Sequence, residues 1–249
     1  MLDPQTLSFY SRQLGLPGWG SAGQNKLQQS TVAIMGAGGL GCPAALYLAA
    51  MGVGRLVLVD RDRVERSNLH RQILFEARHI GEIKAVVAAR VLQERYPTCR
   101  TEAIHLDLTT ETQELSIPEA QVVLDCTDNF AARRIINQIC LQRRLPLVSA
   151  AAVRLSGQLA VFDSRKQHSP CYDCLYGRAE GGESCETAGI LPAVAGMLAC
   201  LQVIETTKLL LDMGETLCGR LLLVDAATMA FRTINLPRDP ACPTCAQLR

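Results

Sequence analysis

The chain has 249 residues, of which 48% are hydrophobic, and its formal net charge at pH 7 is +1. Such a small charge excludes the broad basic surface typical of proteins that bind nucleic acids or membranes, so we expect no nucleic-acid and no membrane partner. The first residues lack the basic segment and apolar core of a secretory signal, and we therefore expect a cytoplasmic protein.

A glycine-rich turn follows the first apolar run of the chain. Residues 32–35 are a predicted strand, residues 36–41 read GAGGLG, and a predicted amphipathic helix covers 42–51. The next apolar run, 56–59, ends at Asp60. This order of strand, glycine turn, helix, strand and acid is typical of a nucleotide-binding site.

Each glycine of the turn has a predicted role. Gly36 permits the tight turn, Gly38 lets the backbone approach a phosphate, and Gly41 lets the helix pack close to its strand. Gly39 completes the predicted binding loop, and the helix N-terminus presents unpaired N–H groups to an anion. The alternative is a tight turn that binds no ligand.

Helices and strands alternate through the first 150 residues, which predicts a doubly wound α/β sheet. After Asp60, the predicted elements are a helix over 81–96, strands over 101–106 and 122–125, a helix over 129–143 and a strand over 146–150.

The alternation then stops. In the second part, the predicted elements are a strand over 157–162, a loop over 167–187, a helix over 193–211 and strands over 221–224 and 231–234. The last two strands are close enough to be antiparallel neighbours. We therefore expect a Rossmann-like, mainly parallel sheet that antiparallel strands extend.

The longest apolar stretch, residues 188–204, does not predict a membrane span. Pro192 and Gln202 interrupt it, and Glu205 follows directly. It is shorter than the roughly 20 apolar residues that cross a bilayer. A buried helix, or a helix at a subunit interface, is the better interpretation.

Two pairs of cysteines have the spacing of metal ligands. The chain has 11 cysteines, an odd number, which argues against a disulfide framework. Cys171 and Cys174 form one C-x-x-C pair, and Cys242 and Cys245 form another. Two such pairs predict a closed, structural four-thiolate Zn2+ site, although a redox dithiol is the alternative.

Polar residues gather downstream of the glycine turn. Arg71 and Lys84 supply two cations, which suits a triphosphate better than a dinucleotide. Asp128 follows a predicted strand, where an acid can hold Mg2+ on phosphates. The alternative for each cation is a solvated surface charge. The candidate nucleotide-binding side chains are Asp60, Asp62, Asn68, Arg71, Gln72, Lys84 and Asp128.

The sequence resembles the ubiquitin-activating-enzyme-like adenylyltransferases of bacteria, the MoeB/ThiF/HesA group. The likeness extends over essentially the whole chain. The matching segments are YSRQ at 10–13, GAGGLG at 36–41, SNL at 67–69 with Arg71 and Gln72, Gly81 with Lys84, DCTDN at 125–129 and the two cysteine pairs.

The resemblance implies that ATP is used to adenylate the C-terminal glycine of a small ubiquitin-like sulfur carrier ending in Gly-Gly, with release of pyrophosphate. It also implies a catalytic arginine that one subunit lends to the other, and hence a homodimer. By position, the implied roles are ribose binding for Asp60, phosphate binding for Asn68, Arg71 and Lys84, Mg2+ binding for Asp128, and the lent arginine for Arg12.

Cys185 matches the conspicuous cysteine of this family. In ThiF-like members the carrier is linked there through sulfur, whereas MoeB-like members do not require it. Glu183 and Glu186 would oppose the lowered thiol pKa that reactivity needs. A covalent or persulfide role and an unreactive loop cysteine both stay open.

MoeB-like activity in molybdopterin synthesis is favoured slightly over ThiF-like activity in thiamine synthesis, on the segments 151–158, 225–226 and 231–232. The rhodanese domain of some relatives would follow Cys245, so we expect a separate sulfur donor. We expect one adenylation domain over 1–249, with a helical arm to 30, a nucleotide-binding core to 165, and a part that binds zinc and carrier.

Two other functions fit the glycine turn and Asp60. One is an NAD-dependent dehydrogenase, and the other is a non-catalytic nucleotide-sensing module held together by a structural zinc. Both leave a set of four residues without a role: Arg12, Arg71, Lys84 and Asp128.

Overall fold

The computed structural model describes residues 2–109, 111, 119–177 and 188–246. Its strands are β1 (Thr31–Met35), β2 (Arg55–Val59), β3 (Arg100–Ile104), β4 (Val122–Asp125), β5 (Pro146–Val153), β6 (Ser156–Asp163), β7 (Arg220–Asp225) and β8 (Ala230–Asn235). Its α-helices are α1 (Pro4–Phe9), α2 (Ser11–Leu14), α3 (Gly20–Gln28), α4 (Gly41–Ala50), α5 (Lys84–Arg95), α6 (Phe130–Gln142), α7 (Tyr172–Tyr176) and α8 (Pro192–Leu211).

Within these residues the strands form a single sheet in the order β3-β2-β1-β4-β5-β6-β7-β8. The first five pair in parallel, and the pairs β5–β6, β6–β7 and β7–β8 are antiparallel. The predicted fold class, a parallel sheet extended by antiparallel strands, is confirmed. The direction of strand order reverses between β1 and β4, which is where such sheets bind ligands.

Helices cover both faces of the sheet, so the central strands are buried on both sides. Alternate residues of β1 face opposite ways: Val32 and Ile34 lie in one hydrophobic core, and Ala33 and Met35 lie in the other. The first core takes side chains from α4, α5 and α8, and the second takes them from α6 and α7. This arrangement explains the uninterrupted apolar runs in the sequence.

The long helix α8 is longer than its apolar stretch suggested. Over its 20 residues it is long and apolar enough to cross a membrane by length and composition alone. However, 61% of its most apolar window is buried inside the protein, against β5, β6 and α4. The predicted buried helix is therefore confirmed.

Several predicted boundaries were wrong. The strand expected over 101–106 ends at Ile104, and the strand expected over 146–150 runs to Val153. The helix expected from residue 81 begins at Lys84, because Gly81 has a φ of +89° and Ile83 is extended. The loop expected over 167–187 contains the short helix α7, whose first N–H, of Tyr172, donates to Asn137 Oδ1 at 3.1 Å. That tertiary contact has no sequence signature.

The N-terminal helices are anchored at the C-terminal end of α4. Gln13 and Gln24 both donate through Nε2 to the carbonyl oxygen of Met51, at 2.8 and 3.1 Å. Gln24 is fully buried, and its Oε1 accepts from Trp19. The single sheet runs from Thr31 to Asn235, and the predicted internal divisions at residues 30 and 165 stay predictions.

Candidate nucleotide-binding site and metal centre

The candidate nucleotide site lies at the carboxyl ends of three neighbouring strands. The glycine turn follows β1, Asp60 follows β2, and Asp128 lies three residues after the end of β4. Because β2, β1 and β4 are adjacent and parallel, their carboxyl ends meet at one edge of the sheet. Residues that lie far apart in sequence are thereby gathered around the turn.

The glycine turn is closely packed against the backbone. Gly36 has a φ of +95°, and a Cβ on it would lie 2.8 Å from the carbonyl oxygen of Cys126. A Cβ on Gly41 would lie 1.9 Å from the carbonyl oxygen of Gly36. Any side chain at these positions would displace the turn. Beside Gly38, by contrast, a Cβ would meet only the Gln72 amide, at 3.9 Å.

Asp60 fixes the turn to the loop that follows β2. Its Oδ2 accepts from Ala37 N at 2.7 Å, and its Oδ1 accepts from Asp62 N at 2.7 Å. Burial raises the pKa of this carboxyl above its ordinary value, although the Asp62 N–H and the Lys84 charge act in the opposite direction. Both oxygens keep lone pairs, so ribose hydroxyls can also donate to them.

Lys84 is a buried cation at the first position of α5. It is only 6% exposed, and its Nζ lies 3.0 Å from Asp62 Oδ2. Its own N–H donates to the carbonyl oxygen of Asp62 at 3.0 Å, so both ends of Lys84 are held by one residue. Asp62 was predicted to bind nucleotide, and its carboxylate also faces the Arg61 guanidinium, 3.5 Å away.

Two further predicted residues, Arg71 and Gln72, lie beside the turn, and a third, Asn68, is joined to them. The Arg71 side chain packs over Gly39, and its Nη1 donates to the carbonyl oxygen of Ser67 at 2.9 Å. Asn68 and Gln72 are buried, and a hydrogen bond from Gln72 N to the Asn68 carbonyl joins them. Among the described residues, Gln72 Oε1 has no hydrogen-bond partner.

The loop after β4 is shaped by the buried carboxylate of Asp125. It accepts from Thr127 N at 3.0 Å, from Thr127 Oγ1 at 2.7 Å and from Ser149 Oγ at 2.7 Å. Asp128 follows and is exposed, and Asn129 caps α6 by accepting from Ala132 N. The Asp128 carboxylate is therefore exposed at the edge of the sheet where such folds bind ligands.

Arg61 is a candidate that sequence reasoning missed. Its Nη1 pairs with Asp107 at 3.0 Å, and the charges of Asp107, Asp62 and Asp128 all raise the pKa of this guanidinium. It is thus a cation near the Asp128 carboxylate. The sequence feature that could have identified Arg61 as a site residue is its position directly after Asp60.

Arg12 does not join these residues within one chain. It is exposed on α2, next to Gln13, whose side chain contacts Met51 at the C-terminal end of α4. The glycine turn lies at the opposite end of α4, about 15 Å away for a helix of ten residues. An arginine side chain is shorter than that.

The four predicted zinc ligands do come together. Their Sγ atoms all lie within 4.8 Å of one another, with Cys171–Cys242 at 3.7 Å and Cys174–Cys245 at 3.5 Å. A tetrahedral Zn2+ site with bonds of about 2.3 Å requires sulfur separations of about 3.8 Å, whereas a disulfide bond is about 2 Å long. The geometry favours a metal over a disulfide.

The chemistry of the cluster also fits Zn2+. Cys242 and Cys245 supply two of the four thiols and Cys171 and Cys174 supply the other two, and Zn2+ binds such a set as thiolates. Asp173 lies between Cys171 and Cys174 in the sequence and accepts from Thr244 Oγ1 at 2.6 Å. This hydrogen bond joins the two C-x-x-C segments. The remaining predicted site residue, Cys185, lies outside the described residues.

Comparison with known proteins identifies relatives over the full chain. A model described as the ThiF family matches residues 10–244. The adenylyltransferase and sulfurtransferase MOCS3 of Anopheles gambiae is 41% identical over 99% of this chain and 56% of its own length. The Drosophila willistoni protein of that name is 44% identical over 98% and 54%. This chain therefore spans about half the length of these insect relatives.

A bacterial relative matches over nearly its whole length. The sulfur carrier protein adenylyltransferase of Thermus thermophilus is 40% identical over 97% of this chain and 91% of its own. Among solved structures, E. coli MccB with MccA-N7isoASN superposes with a TM-score of 0.85 at 24% identity, over 97% of this chain and 75% of that one. The MccB likeness shows a shared fold.

Proposed function

The chain belongs to the ThiF family, and we propose that it uses ATP to adenylate the C-terminal glycine of a small ubiquitin-like sulfur carrier. The names of its relatives, sulfur carrier protein adenylyltransferase and MOCS3, support this substrate class. The product would be a carrier adenylate, with pyrophosphate released. Carriers of molybdopterin synthesis or of thiamine synthesis, ending in Gly-Gly, are the proposed partners.

The observation that carries the proposal is the grouping of charges around the glycine turn. Asp60 and Arg71 contact the turn, Lys84 is joined to Asp60 through Asp62, and a Cβ on Gly38 would meet only the Gln72 amide, 3.9 Å away. A cation buried next to a helix N-terminus suits the polyphosphate of a nucleotide. A dinucleotide site of a dehydrogenase has no need of so many cations.

The reaction needs little chemistry from the protein itself. A carboxylate oxygen of the carrier attacks the α-phosphorus, the new O–P bond forms, and the bond to the pyrophosphate oxygen breaks. No proton transfer is required, because the attacking oxygen is already ionised. The task of Arg71 and Lys84 is to hold the phosphates and to stabilise the charge that moves onto the leaving group.

Asp128 is the proposed Mg2+ ligand. It is a single exposed carboxylate at the ligand-binding edge, and Mg2+ is commonly bound by one or two carboxylates together with substrate phosphates. When bound, Mg2+ would neutralise phosphate charge. The residues present fit this role, since Asp128 is not engaged by the salt bridges found among the described residues.

We also propose a homodimer in which Arg12 serves the active site of the other subunit. The anchoring of α2 at the far end of α4 keeps Arg12 away from the turn of its own chain. A second copy is the simplest source of this arginine at the phosphates. Cys185 stays a candidate for a covalent or persulfide link.

Pyrophosphate exchange tests the proposal. The protein should incorporate labelled pyrophosphate into ATP only when a carrier ending in Gly-Gly is present, and NAD should not compete with ATP. Tight NADH binding without exchange would indicate a dehydrogenase instead. ATP binding without exchange, over a panel of carriers of both pathways, would indicate a nucleotide sensor.

A further inference from the structure

Arg133 is a buried arginine that contacts the loop in front of Asp128. It lies in the first turn of α6 and is 8% exposed. Its Nη2 donates to the carbonyl oxygen of Thr127 and, at 3.2 Å, to that of Ala150. Its Nε lies 3.9 Å from Oδ2 of the buried Asp125. One guanidinium thus joins the end of β4, the loop after it, and β5.

A buried charge of this kind is costly unless it is paired and hydrogen-bonded. Arg133 meets both conditions, because Asp125 pairs with it and the carbonyl oxygens of Ala150 and Thr127 accept from it, the second of these being turned toward α6. Asp125, its ion-pair partner, holds the same loop through the Thr127 N–H and hydroxyl. Asp125 accepts from the N–H and the hydroxyl of Thr127, and Arg133 donates to its carbonyl oxygen. The ion pair therefore holds Thr127 at both its amino and its carbonyl end.

Holding the Thr127 carbonyl affects the orientation of Asp128. The carbonyl group of Thr127 and the N–H of Asp128 belong to one planar peptide unit. Fixing that carbonyl fixes the plane from which the Asp128 side chain departs. On the other side, Asn129 caps α6 by accepting from Ala132 N at 2.9 Å. Asp128 therefore lies between the carbonyl group that Arg133 holds and the cap of α6.

The opposite face of the sheet holds the same strand end. Gln202 of α8 is fully buried, and its Nε2 donates to the carbonyl oxygens of Asp125 and Val148, at 2.9 and 3.1 Å. These contacts fix β4 before the loop begins, but they do not reach Thr127. Arg133 is the side chain whose donors engage the loop itself.

We propose that Arg133 is a positioning residue, which orients the Asp128 carboxylate toward the metal–nucleotide by holding the Thr127 carbonyl. The inference rests on the proposed function, since it assumes that Asp128 binds Mg2+ with ATP. It assigns Arg133 no contact with substrate. Partners that orient a metal ligand typically change metal affinity by about 10- to 100-fold when they are replaced.

The test compares ATP binding with and without Mg2+ in the wild type and in Arg133→Lys. A lysine keeps the charge near Asp125, but its point-like ammonium cannot span both carbonyls and the carboxylate as the guanidinium fork does. We expect ATP affinity without Mg2+ to stay within about twofold, while the tightening caused by Mg2+ falls by about tenfold. Asp128→Asn should show the same pattern.

Arg134→Gln is the matched control. Arg134 is the next residue of α6, but it contacts Asp173 and the carbonyl oxygen of Gly177, on the zinc side. This variant should bind ATP as the wild type does, with and without Mg2+. Melting temperatures of all variants are measured first, and binding is measured well below them. If Arg133→Lys does not fold, Ser149→Ala, which loosens Asp125, should show a smaller loss in the same direction.

Three results would overturn the inference, and they have different consequences for the proposed function. If the wild type binds ATP more tightly with Mg2+ and Arg133→Lys keeps that tightening, Arg133 does not position Asp128, and the proposed function is untouched. An equal loss of affinity with and without Mg2+ would likewise indicate a general structural role. If Mg2+ does not tighten ATP binding in the wild type, the inference fails, and pyrophosphate exchange decides the proposed function separately.

Discussion

The Nζ atom of Lys84 lies 3.0 Å from Oδ2 of Asp62, and the same residue accepts the backbone N–H of Lys84. Asp62 is itself held, because its N–H donates to Asp60, which also accepts from Ala37 in the glycine turn. A continuous series of contacts thus connects the turn to a buried cation. Its consequence is that the position of Lys84 is set before any phosphate binds.

The first prediction concerns that cation. Lys84→Met should reduce pyrophosphate exchange by about a hundredfold or more, because it removes a preorganised charge from the transferring phosphates. Asp62→Asn should have a smaller effect in the same direction, since the ammonium stays but loses its charged partner. Steady-state exchange rates measure both effects.

Arg90→Gln is the control for this experiment. Arg90 lies on the same helix as Lys84, but it is exposed and pairs with Glu82. Its replacement should leave the exchange rate unchanged. If Lys84→Met and Arg90→Gln had similar exchange rates, Lys84 would have no role in the reaction.

The second prediction is a pH dependence set by Asp60. Since burial raises its pKa above 3.8, ATP affinity should decline as the pH falls through that raised value, because a protonated carboxyl accepts hydroxyl donors poorly. Titration calorimetry from pH 8 to about 4.5 measures the affinity. Asp60→Asn should bind ATP more weakly at neutral pH and lack this component of the decline.

The same shift has a defined sign for stability. The folded-state pKa of Asp60 lies above the unfolded value, so the folded state binds more protons in that interval, and its stability falls as the pH rises through it. Melting temperatures of the wild type relative to Asp60→Asn should follow this trend. Equal pH profiles of the two proteins, in affinity and in stability, would contradict the assignment.

The third prediction concerns zinc. Protein purified without chelator should contain one Zn2+ per chain, held by Cys171, Cys174, Cys242 and Cys245. Cys242→Ser should lose the metal and lower the melting temperature by about 10 °C or more, because a structural zinc contributes several kcal/mol and about 1 kcal/mol shifts a domain of this size by roughly 2–4 °C. Elemental analysis and thermal melts check both statements.

Cys218→Ser is the matched control for the cysteine variant. Cys218 is a half-buried cysteine outside the cluster, so this variant should keep its metal. The Cys242→Ser protein should still bind ATP at a temperature where it is folded, since the cluster lies apart from the glycine turn. A metal-free wild type would rule out the zinc site.

The fourth prediction concerns Arg12. Arg12→Ala and Asp128→Ala proteins should each be inactive alone, and a mixture should regain activity after subunit exchange. Some heterodimers then hold one site in which both residues are intact. Analytical ultracentrifugation should also find a dimer. A mixture that stays inactive although heterodimers are proven would place Arg12 outside the partner's site.

Local patterns were enough to predict part of this molecule. The glycine turn depends on neighbours in sequence, with Gly36 at positive φ and Gly41 against its carbonyl, and the expected strand, turn and helix follow it. The cysteine spacing likewise predicted a cluster that the structure assembles. In both cases the residues that matter are few and their geometry is stereotyped.

Other features depend on contacts between distant segments. The start of α5 at Lys84 reflects the left-handed Gly81, and α7 is initiated by Asn137, which lies 35 residues away in sequence. The hydrogen bond from Arg133 to the Thr127 carbonyl could not be predicted either, because a lone arginine in a predicted helix is usually a surface charge. Its burial depends on how α6 packs on the sheet.

The most direct test of the central claim is the intact mass of the carrier after incubation with this protein, ATP and Mg2+. We expect a carrier ending in Gly-Gly to gain the mass of one adenylyl group, and a carrier that lacks the terminal glycine to stay unmodified. The adduct should be absent with Asp128→Ala. An unmodified Gly-Gly carrier, over a panel from both pathways and with ATP binding proven, would contradict the account.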